Sequence, residues 1–132
     1  AFPAFAATSL VFGYDWLGRQ FALDYRRRAT GEPLVLLFEP GTGQAPEIDA
    51  GFAAFHDEEM VEYSDAVLAI HAFDRWSADN PGSMPLTRDQ CVGYRVPLFL
   101  GGSDELENFE LGDLDVYWTL AGQMLQGTTG LG

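Results

Sequence analysis

The sequence predicts an α+β fold, an antiparallel sheet of about five strands packed against two or three helices in a single domain. Strand-length apolar runs at 9–14, 33–39 and 96–102 each end near glycine or proline. Two later stretches, 64–80 and 113–126, repeat apolar residues at helical spacing. At 132 residues, with 47% hydrophobic and 14% aromatic content, the chain can bury roughly two-thirds of its unfolded surface and is not disordered.

SLVFGY (9–14) is rich in β-formers, and DWLG (15–18) turns the chain into RQFALDY (19–25), which alternates polar and apolar residues. RRRATGE then makes the second turn. PLVLLFE (33–39) is continuously apolar, as a strand covered on both faces should be, and PGTGQ (40–44) stops it. Short turns between these three strands favour antiparallel pairing. GFAAFHDEEMVEY (51–63) reads as a short helix or a turn-rich approach to SDAVLAIHAFDRWSADN (64–80). That second segment is expected to be one helix, with Ser64 as N-cap and Ala66, Ala69, Ile70, Phe73 and Trp76 on its apolar face. NPGSMPLTRDQ (80–90) is a loop. VPLFLGG (96–102) reads as a strand that pairs with NFEL (108–111). A final helix starts at an Asp113 cap, carries Leu114, Tyr117, Trp118, Ala121, Met124 and Leu125 on one stripe, and stops at Gly127.

Charge is the main compositional signal: 20 acids oppose seven bases, all arginine, for a net −13. Through Gly31 the chain carries Asp15 and Asp24 against Arg19, Arg26, Arg27 and Arg28, a net +2, and the remainder is −15. Such a field repels nucleic-acid phosphates and anionic lipid, so no direct nucleic-acid or membrane partner is expected. No apolar run approaches the roughly 18 residues of a membrane span. The opening AFPAFAATSLVFG has no basic region or cleavage site and is not read as a signal peptide, although the absence of an initial Met leaves an upstream portion open. With a single cysteine, Cys91, there is no internal disulfide, and a cytoplasmic location is the default.

Several catalytic readings fail on spacing. The glycines after PLVLLFE lack the GK[ST] half of a phosphate loop and stand near Glu39, Glu47 and Asp49. His56 with Glu59, and His71 with Asp74, share helical i, i+3 spacing, but each makes at best half a metal site, and His71 is expected to be a partly buried helix residue. Asp113 and Asp115 open like a calcium loop that then lacks its glycine and late glutamate. No metal or other cofactor is expected. Cys91 reads as a free buried thiol, and a nucleophilic Cys91 and His71 couple requires the fold to bring them together.

CVGYRVPLFLGGSDELENFELGDLDVYWTLAGQML resembles the C-terminal domain of bacterial immunity proteins that protect against type VI secretion DNase effectors, where a "vPlfLGG" segment, an acidic link and a "dldvYw…gq" helix follow one another. GYDWLGRQFALD, EPGTGQ and FHDEEMVEY fit the same pattern, extending the resemblance over residues 12–126. It is similar in flavour to the broader SUKH immunity superfamily. The resemblance implies an α+β domain with a non-enzymatic role and tight binding of a cognate toxin, often a nuclease. Members occur as mobile or orphan gene copies, and longer ones carry an N-terminal domain. It implies structural roles for Pro97, Leu98, Phe99, Leu100, Gly101 and Gly102, and for Leu114, Tyr117 and Trp118, with Asp113 as the helix cap. Toxin contacts are not fixed by the motif.

The resulting expectation is an acidic binding module that sequesters a basic, nuclease-type toxin by blocking its active site. Asp104, Glu105, Glu107 and Glu110 form the expected contact group, and Asp57, Glu58, Glu59 and Glu62 a second, because no base lies among them. Two alternatives stand beside it: a small hydrolase or metal enzyme using His71, Asp74 and Cys91, and an interaction domain that uses its aromatic residues, as in a homodimer.

Overall fold

The computed structural model describes residues 2–131, with side chains for all of them except 3, 64, 66 and 128–131. Strands β1 (Ser9–Tyr14), β2 (Gln20–Ala29), β3 (Glu32–Phe38) and β4 (Glu47–Gly51) form an antiparallel meander in the order β1-β2-β3-β4. Short helix α1 (Phe52–Ala54), a π-helical turn (Phe55–Glu59) and α2 (Met60–Glu62) lead into α3 (Ser64–Leu68) and α4 (Ile70–Asp79). Strands β5 (Gln90–Tyr94) and β6 (Phe109–Asp113) pair antiparallel in a second sheet, and α5 (Leu114–Leu131) follows. The fold is α+β, with its strands divided between two sheets.

Alternation along β2 and β3 explains the meander. Phe21 pairs with Leu37, Ala22 with Leu36 and Leu23 with Val35. Successive side chains therefore go to opposite faces. Phe21, Val35 and Leu37 pack with Ala50 and Phe55 on one face. On the other, Ala22, Leu36 and Phe38 meet Phe2, Phe5 and Trp118. Covered on both sides, β3 is apolar throughout. A third cluster, Leu17, Trp76, Val92 and Phe109, joins the first turn to α4 and the β5–β6 sheet.

The arginine run lies within β2 rather than in the following turn, which is made by Thr30 and Gly31 at φ 51° and 82°. The cause is Asp24, which is fully buried. Its carboxylate accepts from the Arg26 backbone and side chain and from Arg27 Nε, and Arg27 also donates to the Val35 carbonyl. A bulge between Asp24 and Arg28 lets consecutive arginines reach the same carboxylate. Burial works to raise the Asp24 pKa, but the hydrogen bonds from Arg26 and Arg27 outweigh it and hold the carboxyl below its ordinary value. β4, too short for its pattern to register, was not expected from the sequence.

The segment VPLFLGG is not a strand. Leu98–Leu100 is a single 3-10 turn, and β6 pairs instead with β5, Tyr94 opposite Phe109 and Gln90 opposite Asp113. Residues 95–108 form a loop held by hydrogen bonds within it and by bonds to Gly41. The buried Asn108 side chain accepts from Val96 N–H and donates to the Val96 and Ser103 carbonyls, replacing a strand partner. Leu98 N–H donates to the Gly41 carbonyl, Gly101 sits at φ 90°, and a Cβ on Gly102 would collide with the Val96 carbonyl.

The expected 64–80 helix is broken. Ala69 adopts a left-handed conformation, φ 54° and ψ 47°, between α3 and α4. Two carbonyls freed by the break are taken by distant donors, Val67 by the Arg19 guanidinium and Leu68 by the Trp16 indole. The helix begins at Ser64, which moves the cap position to Tyr63, and the Ser64 and Ala66 side chains lie outside the described residues. Ile70 and Phe73 are partly buried and Trp76 is buried, so the apolar face persists across the break. In α5 the stripe of Leu114, Tyr117, Trp118, Ala121, Met124 and Leu125 faces inward, and the helix continues through Gly127, which takes no left-handed conformation.

Because Asn108 closes the loop, Asn108→Ala leaves the Val96 amide and two carbonyls without their partners. The expected loss is about 1–3 kcal/mol in urea unfolding, and a stability equal to that of the parent would contradict this role.

Candidate binding surface

Loop 95–108 and α4 face each other across a cleft of about 330 Å³. Its apolar part includes Leu17, Leu98, Leu106 and Phe109, and the small residues Gly41, Ala69 and Ala72 leave the room. Asp104 and Glu105 come from the loop, Arg75 from α4, Arg19 from the residue before β2 and Glu39 from the residue after β3. The Tyr94 hydroxyl donates to Asp104 at 2.8 Å, tying the acidic loop to β5. Burial, reinforced by that bond, raises the Tyr94 pKa.

A second, more open hollow of about 570 Å³ adjoins the first through Arg19 and Glu39, which line both. Glu59 and Tyr63 also line it. The fold thus places Asp104 and Glu105 in one hollow and Glu59 in the adjoining one, although more than forty residues of sequence separate them. Arg19 is committed to structure: Nη2 lies 2.6 Å from Asp15 and also donates to the Val67 carbonyl, while Glu39 is 3.9 Å away. Burial raises the Asp15 pKa despite the adjacent guanidinium.

The remaining acids line neither hollow. Glu107 is exposed, and Glu110, on β6, is 3.8 Å from the Arg95 guanidinium. Asp57, Glu58 and Glu62 are exposed on the π-helical turn and α2, whereas Glu59 is half-buried. The first acid group is therefore not free of bases: Arg95 precedes it by nine residues and reaches it through the β5–β6 pairing.

Pro97, Leu98, Phe99, Leu100, Gly101 and Gly102 build the loop, with Pro97 buried and Leu100 exposed. Asp113 Oδ1 accepts from Val116 N–H at the start of α5. Leu114 and Trp118 pack inward, and Trp118 Nε1 donates to the Gly18 carbonyl. Tyr117 lies against Gly18, Gly41 and Gly93.

His71, Asp74 and Cys91 are not brought together. Cys91 is fully buried beside Gly18, and burial, followed by the charges of Asp113 and Asp15, pushes its thiol up to about 12. His71 is not partly buried as expected: the helix break turns its side chain outward, 83% exposed, with Nδ1 2.7 Å from Asp65. Asp74 is exposed. His56 is exposed too and lies against Phe52 in a tilted arrangement, with ring centroids 4.3 Å apart. Among the described residues no group of three His, Cys, Asp or Glu side chains is placed to hold a metal ion, and no helix is long and apolar enough to cross a membrane.

The model of the family described as T6SS immunity protein Tdi1, C-terminal, matches residues 52–125, more than half of the chain. The chain belongs to this family. The matched part runs from α1 into α5 and contains both acid groups and loop 95–108; Arg19 and Glu39 lie outside it. No curated protein matches the chain.

Two outcomes follow from these geometries. A buried thiol held protonated should resist alkylation in the native state, so Cys91 labels only as the protein unfolds, and rapid native labelling would contradict its position. The hydrogen bond that the His71 ring donates to Asp65, then the Asp65 charge, raises the His71 pKa; the His71 backbone N–H, then that same ring contact, lowers the pKa of Asp65. The His71 contribution to stability is full below its unfolded value near 6.5 and is lost as pH rises through the higher folded one; that of Asp65 is present above about 3.8 and is lost as pH falls through its lower folded value. Followed by NMR, the His71 ring should titrate at a lower pH in Asp65→Asn than in the parent, and an unshifted titration would refute the pairing.

Proposed function

We propose that the protein is a cytoplasmic immunity protein, non-enzymatic, that binds a basic, nuclease-type toxin of type VI secretion and holds it inactive by covering its active site. Family membership supports an immunity role. The observation that carries the finer reading is that Asp104 and Glu105 of one acid group and Glu59 of the other line adjoining hollows that share Arg19 and Glu39. A nuclease must attract phosphate and so presents a basic cleft. An acidic surface complements it, speeds encounter and competes with nucleic acid for the same charges.

The charge balance favours this role. Arg19, Arg26 and Arg27 are spent on Asp15, Asp24, Glu39 and Glu47, while Glu107, Asp57, Glu58 and Glu62 have no ion pair among the described residues. A second reading, self-association, draws on β1, an edge strand that exposes Leu10, Val11 and Tyr14.

The test is binding to, and inhibition of, a nuclease-type toxin domain encoded beside the gene, at low and high salt. Changing Asp104, Glu105, Glu107 and Glu110 together to Asn or Gln should weaken the complex by about tenfold or more at low salt and flatten its salt dependence. Equal affinity of parent and variant at low salt would remove this surface from the interface.

A further inference from the structure

We propose that the cleft between α4 and loop 95–108 is a socket for one arginine side chain of the bound toxin. The proposal rests on the immunity reading and adds to it a specific point of recognition. At about 330 Å³ the cleft reaches the lower end of ligand-site volumes, about 300 Å³, so it can take a whole side chain rather than touch it at a surface.

The lining is divided in the way a long cationic side chain requires. Leu17, Leu98, Leu106 and Phe109 offer apolar contact to a methylene stem. Glu39, Asp104 and Glu105 supply carboxylates. Two cations also line the cleft, but Arg19 is neutralised from behind by Asp15 at 2.6 Å. Arg75 has no carboxylate within ion-pair distance among the described residues, so it directs an incoming cation toward the opposite, loop wall. Asp104 and Glu105, with Glu39 held only at 3.9 Å by Arg19, thus face one uncommitted guanidinium.

Each carboxylate keeps accepting capacity. Asp104 uses Oδ1 for the Tyr94 hydroxyl. Glu39 takes the Thr42 hydroxyl on Oε2 and meets Arg19 only at 3.9 Å. Glu105 is exposed at the rim, with no side-chain hydrogen bond or ion pair among the described residues. A guanidinium, with five donors in a planar fork and weaker hydration than an ammonium, suits several carboxylate oxygens beside aromatic rings better than a lysine does.

The test compares two charge changes of equal size. In the full chain, Asp104→Asn with Glu105→Gln alters the cleft wall, and Glu107→Gln with Glu110→Gln alters the same segment outside it. The cleft pair should lose about tenfold or more in toxin affinity at moderate salt, and the outer pair only about two- to threefold. Ala72→Trp, which fills the cleft without changing charge, should lose as much as the cleft pair. Equal losses for both pairs, or full affinity in Ala72→Trp, would overturn the socket and leave the immunity reading standing.

A measurement without toxin guards against misfolded variants. Agmatine, an arginine stripped of its carboxylate, should shift the amides of Gly41, Ala72 and Glu105 saturably in NMR spectra of the parent chain, and glutarate should not. Shifts spread over Asp57 and Glu58 without saturation, or none at all, would overturn the proposal. Saturable agmatine binding with no toxin complex would defeat the immunity reading, and the toxin as occupant with it, while leaving a guanidinium site.

Discussion

The two sheets are held in one arrangement by the ring of Tyr117. It projects from α5 into a space bounded by Gly18 after β1, Gly41 after β3 and Gly93 in β5. A Cβ on Gly93 would approach the ring to 2.7 Å and one on Gly18 to 3.0 Å, so both sheets reach this helix only because these positions lack side chains. Tyr117 and Gly41 also line the cleft. Burial pushes the phenol up to about 12, keeping an uncharged, packed ring beneath a strongly acidic surface.

Around that contact the protein separates structural charge from surface charge. A buried carboxylate is costly unless paired and hydrogen-bonded. Asp24 meets this requirement through Arg26 and Arg27, and Asp15 through Arg19. Arg19 does further work by taking the Val67 carbonyl released at the Ala69 break. That break tilts α4 away from a continuous helix and lets Ala69, Ala72 and Arg75 form a cleft wall. The early arginines, which give the first 31 residues a net +2, are mainly counterions for buried acids and donors to backbone, and the later acids are left to the solvent face.

Legibility varied with how local the cause was. The continuous apolar run of β3 and the amphipathic α5 follow from periodicity, which records burial directly. The edge between β5 and β6 does not: VPLFLGG has the apolar content of a strand, yet Pro97 and the Asn108 side chain make it a loop. Asn108 is ordinary in sequence and acquires its role through Val96 and Ser103, which only the closed loop presents to it. The break at Ala69 was equally hidden, since its compensation comes from Trp16 and Arg19, roughly fifty residues away.

The sequence by itself determined the α+β class, the family, the acidity and the candidate acids, because composition, periodicity and a contiguous motif are all carried by neighbouring residues. Tertiary structure decided which acids share a surface. Asp104, Glu105 and Glu59 become neighbours of one Arg19–Glu39 pair through packing between α4, loop 95–108 and the first sheet. It also separated His71 from Cys91, one turned into water and the other sealed behind Tyr117. Both outcomes depend on contacts between residues far apart along the chain, whose geometry is set by the packed core and is absent from any local pattern.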